Sequence, residues 1–182
     1  SIRWFILSDS PPEKDVQWSD AGVISSNKFL QKIWNLNQLI LNRVESKVDQ
    51  IAENHFKNKI DLYVYKIDNT INNFQFNVTI AQFYEIYRHF NESIKLEISN
   101  KILIENIIKV MKLMTPLVPH LANECLLNLK SEDKDKWPHI NEKAIITQKI
   151  NMVIQVNGKT RGVLNIKKDL TEIEIKKLVL DA

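Results

Sequence analysis

Histidine and cysteine are the side chains of this sequence best suited to catalysis or metal binding, but their spacing supports neither. The four histidines are dispersed along the chain, at His55, His89, His120 and His139. No two of them have the spacing that places metal ligands on one helix face. The single cysteine, Cys125, has apolar neighbours one turn away on a predicted helix, such as Ala122 and Leu129, which favours a buried, inert thiol over a nucleophile. The sequence therefore predicts no metal centre and no internal disulfide.

Glycines and carboxylates offer no other catalytic arrangement. The three glycines are Gly22, Gly158 and Gly162, and their spacing matches no glycine-rich loop that binds phosphate. Asp133 and Asp135 lie in a run of charged residues, where solvent would give both carboxylates the same chemical role. We therefore predict that the chain contains no enzyme active site.

Basic side chains remain as candidates, because they can bind phosphate. The formal net charge is only +3. Lys159 and Arg161 stand beside a predicted glycine turn, and Lys167 and Lys168 follow the predicted second strand. Cations on a rigid turn can neutralise phosphates and gain affinity through counterion release. Lysines on a hairpin also discourage pairing between sheet edges, and the residues alone leave both roles open.

Apolar residues recur at helical spacing through the first 130 residues. The amphipathic helices predicted from this spacing lie near residues 21–52, 60–74, 77–90, 93–114 and 117–129. Ser19 or Asp20 is predicted to cap the first helix, and Asn77 the third. Pro116 must end the fourth helix, whereas Pro119 is tolerated in the first turn of the fifth.

The apolar period changes from 3.6 to 2 near residue 150. Alternating apolar side chains predict a strand, at Ile150, Met152, Ile154 and Val156. Asn157 and Gly158 predict a two-residue type I′ turn, and residues 160–166 the returning strand. Thr171 and Glu174 have the spacing of a capping box at the start of a short helix.

The predicted fold class is mainly α, a helical bundle followed by a small, truncated α+β unit of a β-hairpin and a helix. An extended connector is predicted at 1–20, where Pro11 and Pro12 disfavour a helix. The bundle is predicted at 21–130, a linker at 131–148 and the partial α+β domain at 149–182.

Four stretches carry longer motifs: RWFILSDSPPEKDVQWSDAGV at 3–23, FNVTIA at 76–81, TPLVPHLANE at 115–124 and VIQVNGKTRG at 153–162. In this order they resemble bacterial-type leucyl-tRNA synthetases, from the segment after the catalytic core to the start of the C-terminal domain. Asn123 departs from the pattern, which has a glutamate there. Related isoleucyl enzymes often end in a cysteine-rich zinc module, which one cysteine cannot form.

The resemblance implies the anticodon-binding-type helical bundle of a class I synthetase and the start of its C-terminal domain. The parent enzyme would be a leucine–tRNA ligase that uses ATP and magnesium in a catalytic core. That core's nucleotide-binding motifs do not occur in this sequence. We therefore expect this chain to be catalytically inactive alone, to hold no cofactor and to belong to a cytoplasmic protein.

The implied partners are leucine tRNA and the catalytic core of the same parent chain, with no membrane and no DNA. The expected tRNA-binding residues are all basic: Lys159, Arg161, Lys167, Lys168, Lys28, Lys32 and Arg43. The alternative function is a stand-alone helical module that binds protein and not tRNA. That alternative predicts an exposed apolar groove and binding that is insensitive to salt.

Overall fold

The computed structural model describes residues 1–44, 47–139, 149–156, 159–167 and 172–180. The chain divides into two compact units, Ser1–Ile140 and Asn141–Ala182. Among the described residues the first unit is helical, and the second contains a two-stranded sheet and one helix. The predicted fold class, a mainly α chain with a small hairpin-containing unit, is confirmed.

The helices of the first unit are α1 Ile2–Asp9, α2 Asp20–Leu41, α3 Gln50–Asn72, α4 Phe76–Ser93, α5 Asn100–Met114 and α6 Pro119–Asn128. Their apolar faces share one core, which includes Trp4, Ile33, Phe56 and Phe83. The second unit contains β1 Lys149–Val156, β2 Lys159–Lys167 and a helix, α7, at Glu172–Leu180.

Helix α1 lies where an extended connector was predicted, and that prediction is wrong for residues 2–9. Trp4 is fully buried, and its ring packs against Phe29 of α2 and Phe83 of α4. The ring of Phe5 lies over Gly22, where a Cβ atom would overlap it. These aromatic contacts fix α1 against the bundle, and the two prolines act only after the helix has ended.

Three of the predicted helix limits were wrong because long-range contacts set them. The first helix ends at Leu41 rather than near residue 52. The second, α3, begins at Gln50 after an Asp49 cap rather than near residue 60. The Asp49 amide donates to the Glu97 carbonyl, which binds this break to the segment before α5. The fourth predicted helix starts at Asn100, after a Ser99 cap, rather than near residue 93.

Local signals predicted other helix limits correctly. The Ser19 hydroxyl accepts a hydrogen bond from the Gly22 amide, and Pro119 lies in the first turn of α6.

The predicted cap of the third helix was wrong. Asn77 does not cap α4, because that helix begins at Phe76. In the FNVTIA stretch at 76–81, the residue that links two helices is Thr79. Its hydroxyl oxygen lies 2.7 Å from that of buried Thr70, and this hydrogen bond joins α4 to α3.

Part of the predicted linker belongs to the first unit. Ser131 and Pro138 are buried, and the Trp137 indole Nε1 donates to Asp68 of α3 at 2.8 Å. Residues 131–139 therefore fold back along the bundle. The rest of the predicted linker, 140–148, lies outside the described residues.

His89 is buried in the bundle and stacks on Phe56, with ring centroids 5.2 Å apart. Burial, more than any other cause, lowers the pKa of His89 to about 4, and the charge of Lys59 and the nearby His55 lower it further. The Phe56 backbone and Glu92 act in the opposite direction. The folded bundle therefore holds His89 neutral at pH 7.

We expect the bundle to lose stability in mild acid because of His89. Its pKa is 6.5 when unfolded and about 4 when folded, so its contribution is present above pH 6.5 and disappears as the pH falls through 4. Between pH 7 and pH 5 the free energy of unfolding should fall by about 1–2 kcal/mol through this residue. Urea unfolding of wild type and His89→Gln at both pH values checks this. An equal fall in the variant would contradict it.

The strands β1 and β2 pair in antiparallel fashion, as predicted. The predicted turn at Asn157 and Gly158 lies outside the described residues. The register shifts by one residue near the end of the hairpin, since Gln155 pairs with Thr160 whereas Ile154 pairs with Gly162. Arg161 is thus the extra residue of β2 at an irregularity of the β-bulge type.

Candidate nucleic-acid interface

Helix α2 carries two of the predicted tRNA-binding residues on its surface. Lys28 and Lys32 are four residues apart and exposed, so they lie on the same side of the helix. No aspartate or glutamate occurs between Ala21 and Val44. Asp20, in the first turn, is therefore the one acidic residue of this helix, and it lies eight residues before Lys28.

Two adjoining clefts lie along α2, one between α2 and α6 and the other where α2 meets both α1 and α6. One has a volume of about 410 Å³ and is lined by Asn27, Gln31, Trp34 and Asn35, with Leu30 and Leu121. The other, of about 510 Å³, shares Leu30 and Leu121 and is also lined by Arg3 and His120. Trp34 is half-buried and packs against the core, so the first cleft has a well-packed aromatic side chain on one side.

Arg43 has a structural role that the sequence did not reveal. Its guanidinium donates to the carbonyls of Ile94, Leu96 and Ile98 at 2.7–3.1 Å, and to the Asn100 side chain at 2.7 Å. The Asn100 amide in turn donates to the Arg43 carbonyl. These four bonds leave at most one N–H of the guanidinium for a phosphate, so we interpret Arg43 as a structural residue rather than as the predicted tRNA contact.

The hairpin carries three more of the predicted residues, in the second unit. Arg161 is exposed at the register irregularity, and a bulge of this kind redirects the side chain away from the regular ladder. Lys159 and Lys167 are the first and last residues of β2, and the structure describes their backbone alone. Lys168 lies outside the described residues.

The described parts of the chain contain no group of possible metal ligands. No three histidine, cysteine, aspartate or glutamate side chains come close enough there to hold a metal ion. Cys125 is buried as predicted, and burial raises the pKa of its thiol to about 11, although the neighbouring Asn37 amide opposes that rise. The side-chain amide of Asn37 lies near the thiol but makes no hydrogen bond to it.

The helices that the structure describes differ in length or polarity from a membrane span. Each of them is too short or too polar to cross a membrane.

The chain is similar to a known family of proteins. A family model described as the anticodon-binding domain of tRNA ligase matches residues 53–177, which is more than half of the chain. The chain belongs to this family. The anticodon-binding domain match covers most of the helical bundle and continues into the second unit, in agreement with the resemblance drawn from the motifs.

The most informative relatives are leucine–tRNA ligases. The chain is 33% identical to that of Thermosipho melanesiensis, over 100% of the chain and 24% of the relative. It is 34% identical to that of Prochlorococcus marinus strain AS9601, over 99% of the chain and 22% of the relative. This anticodon-binding domain therefore spans about a quarter of the length of the relatives that it matches.

A solved structure shares the fold. It is the LeuRS of Agrobacterium radiobacter K84, in a ternary complex with tRNA and LeuAMS. The TM-score is 0.78 at 21% identity, over 100% of this chain and 25% of the other. At this identity the likeness shows a shared fold, and no more.

Sequence reasoning missed the polar residues that line the cleft beside Lys28. Asn27, Gln31 and Asn35 are spaced by four residues, which places them on one face of α2. That spacing was visible in the sequence. Their exposure was not, because it depends on which face of α2 the other helices cover.

Proposed function

We propose that this anticodon-binding domain is the tRNA-binding region of a leucine–tRNA ligase. We propose that it holds leucine tRNA by contacts to the sugar–phosphate backbone of the RNA. The observation that carries the proposal is the exposed surface of α2, where no acidic residue follows Asp20. Lys28 and Lys32 each come directly after a residue that lines a cleft, Asn27 and Gln31. The similarity to leucine–tRNA ligases along the whole chain supports leucine tRNA as the substrate.

Phosphate and ribose contacts suit this surface better than base contacts. Lysine provides a mobile point charge, which is attracted to phosphate whatever the base. Folded RNA hides most base edges in a deep groove, so a helical protein recognises its shape and its backbone. In the second unit, Arg161 adds a planar guanidinium that can bind a phosphate through two parallel hydrogen bonds.

The second proposed partner is the catalytic core of the parent chain. Ile2 and Ile6 lie four residues apart on α1 and are 54% and 43% exposed, and Trp18, after this helix, is 59% exposed. Exposed apolar side chains that lie together are a feature of protein interfaces. We propose that the core covers these three side chains. Aminoacylation with ATP and magnesium would then take place in that core, in the cytoplasm, with this domain positioning the tRNA.

Salt dependence of binding tests the tRNA proposal. If the domain neutralises Z phosphates, the logarithm of the association constant should fall against the logarithm of salt with a slope of about −0.7Z to −0.9Z. Titration with a leucine tRNA transcript at several salt concentrations measures this slope. Binding of a protein partner that is insensitive to salt, with no affinity for tRNA, would instead support the stand-alone protein-interaction module.

Arg161→Ala should weaken tRNA binding and make the slope less steep by up to about one unit, because one phosphate contact is lost. The melting temperature should not change, since the side chain is exposed. Arg161→Lys is the matched control: it keeps the charge and should restore most of the slope. Unchanged binding in Arg161→Ala would remove Arg161 from the interface.

A further inference from the structure

A row of carboxamide side chains runs along the exposed side of α2. It consists of Asn27, Gln31, Asn35 and Gln38, and we call it the amide row. The spacing of three or four residues keeps all four side chains on one face. At a rise of 1.5 Å per residue, the row is about 17 Å long, enough to follow several nucleotides of one strand.

The amide row is largely available for binding. Asn27 accepts a hydrogen bond from the Ser1 hydroxyl. No hydrogen bond joins the side chains of Gln31, Asn35 or Gln38 to any other part of the chain that the structure describes. Gln31 and Asn35 line the 410 Å³ cleft, and Asn35 and Gln38 line a further cleft of about 360 Å³ along the same helix.

Charge on and around the amide row favours a polyanion. Lys28 and Lys32 lie beside the row, and the nearest acidic residue of α2 is Asp20 at its first turn. The carboxylate of Asp20 already accepts a hydrogen bond from the Trp18 indole at 2.7 Å. On α6, Glu124 is the one acidic residue. A surface with two cations and four neutral amides is complementary to a phosphate backbone that also offers hydrogen-bonding groups.

We infer that the amide row binds the ribose 2′-hydroxyl groups of the RNA, while Lys28 and Lys32 bind phosphates beside them. A carboxamide contains both a donor and an acceptor, and so does a 2′-hydroxyl, so the two groups can pair in either sense. DNA lacks this hydroxyl, which makes the amide row a determinant of RNA over DNA. The inference rests on the proposed function and adds the chemical group that this surface recognises.

The test uses the full chain and the triple variant Gln31→Ala, Asn35→Ala, Gln38→Ala. Two probes are compared: a leucine tRNA transcript and a single-stranded DNA of the same sequence. We expect the variant to bind the transcript about tenfold more weakly, with the salt slope unchanged because no charge is removed. Its affinity for the DNA should change by less than twofold. The matched control is Asn54→Ala with Asn58→Ala, two exposed amides of α3, which should leave both affinities unchanged.

The outcomes separate this inference from the proposed function. Wild-type affinity for the transcript in the triple variant would overturn the inference and leave tRNA binding intact. Equal weakening for RNA and DNA would also overturn it, because the amides would then contact phosphates rather than 2′-hydroxyls. If the wild-type chain bound neither probe but bound a protein, the proposed function itself would fail. Circular dichroism of each variant confirms that the helices are retained.

Discussion

Replacing Trp4 with alanine is expected to lower the free energy of unfolding of the bundle by about 3–5 kcal/mol. Trp4 is fully buried, and its ring contacts those of Phe29, Phe83 and Tyr84 at centroid distances of 5.4–6.4 Å. Alanine would leave a cavity between three helices. The melting temperature should fall by about 10 °C. Urea and thermal unfolding followed by circular dichroism measure both quantities.

Two further variants make the Trp4 result specific. Trp4→Phe keeps an aromatic ring and removes an indole N–H that is buried with no hydrogen-bond partner among the described residues, so it should cost less than half as much. Ile6→Ala, on the exposed side of the same helix, should change stability by less than about 1 kcal/mol. A loss below that value for Trp4→Ala would show that α1 is not packed into the bundle in solution.

Replacing Arg43 with alanine should cost about 2–4 kcal/mol, because the side chain holds together two connections that are far apart in sequence. Its guanidinium binds three carbonyls in the α4–α5 connection, at Ile94, Leu96 and Ile98. Without it, partly buried carbonyls lose a charged donor, and the start of α5 loses its tie to the end of α2. Urea unfolding at pH 7 gives the cost.

Comparison of Arg43 with Lys28 separates structure from RNA binding. Arg43→Lys keeps the charge but lacks the planar fork of donors, so it should recover less than half of the lost stability. Lys28→Ala should leave stability unchanged, since Lys28 is exposed, and should weaken binding of the leucine tRNA transcript. If Arg43→Ala instead kept wild-type stability and lost tRNA affinity, Arg43 would return to the group of RNA contacts.

The regular elements were predictable because their signals are local. The stripe of Ile60, Val64 and Ile67 lies on one face of α3, and all three side chains are buried as that spacing requires. The alternation after residue 150 predicted the hairpin for the same reason, since successive side chains of a strand point to opposite faces. Helix α1 escaped prediction because eight residues are too short to show a repeating stripe, although Trp4 completes the core.

The charges of the proposed RNA-binding surface were predictable from the sequence, and its shape was not. Lys28 and Arg161 were candidates because of residue type, and both are exposed. Arg43 is of the same type, but it lies 51–57 residues from the groups that it binds, and nothing local to it indicates them. The accessibility of the amide row likewise depends on how α1 and α6 pack beside α2.

By itself, the sequence determined the family, the bundle followed by a hairpin, and the set of basic residues from which a tRNA surface could be built. Periodicity, turn residues and motif order are properties of neighbouring positions, so they survive without coordinates. The tertiary structure decided which cations remain available, where α2 ends and α3 begins, and which face of α2 stays open. Those features depend on contacts between distant residues, whose pairing is fixed only when the helices bury their apolar faces together.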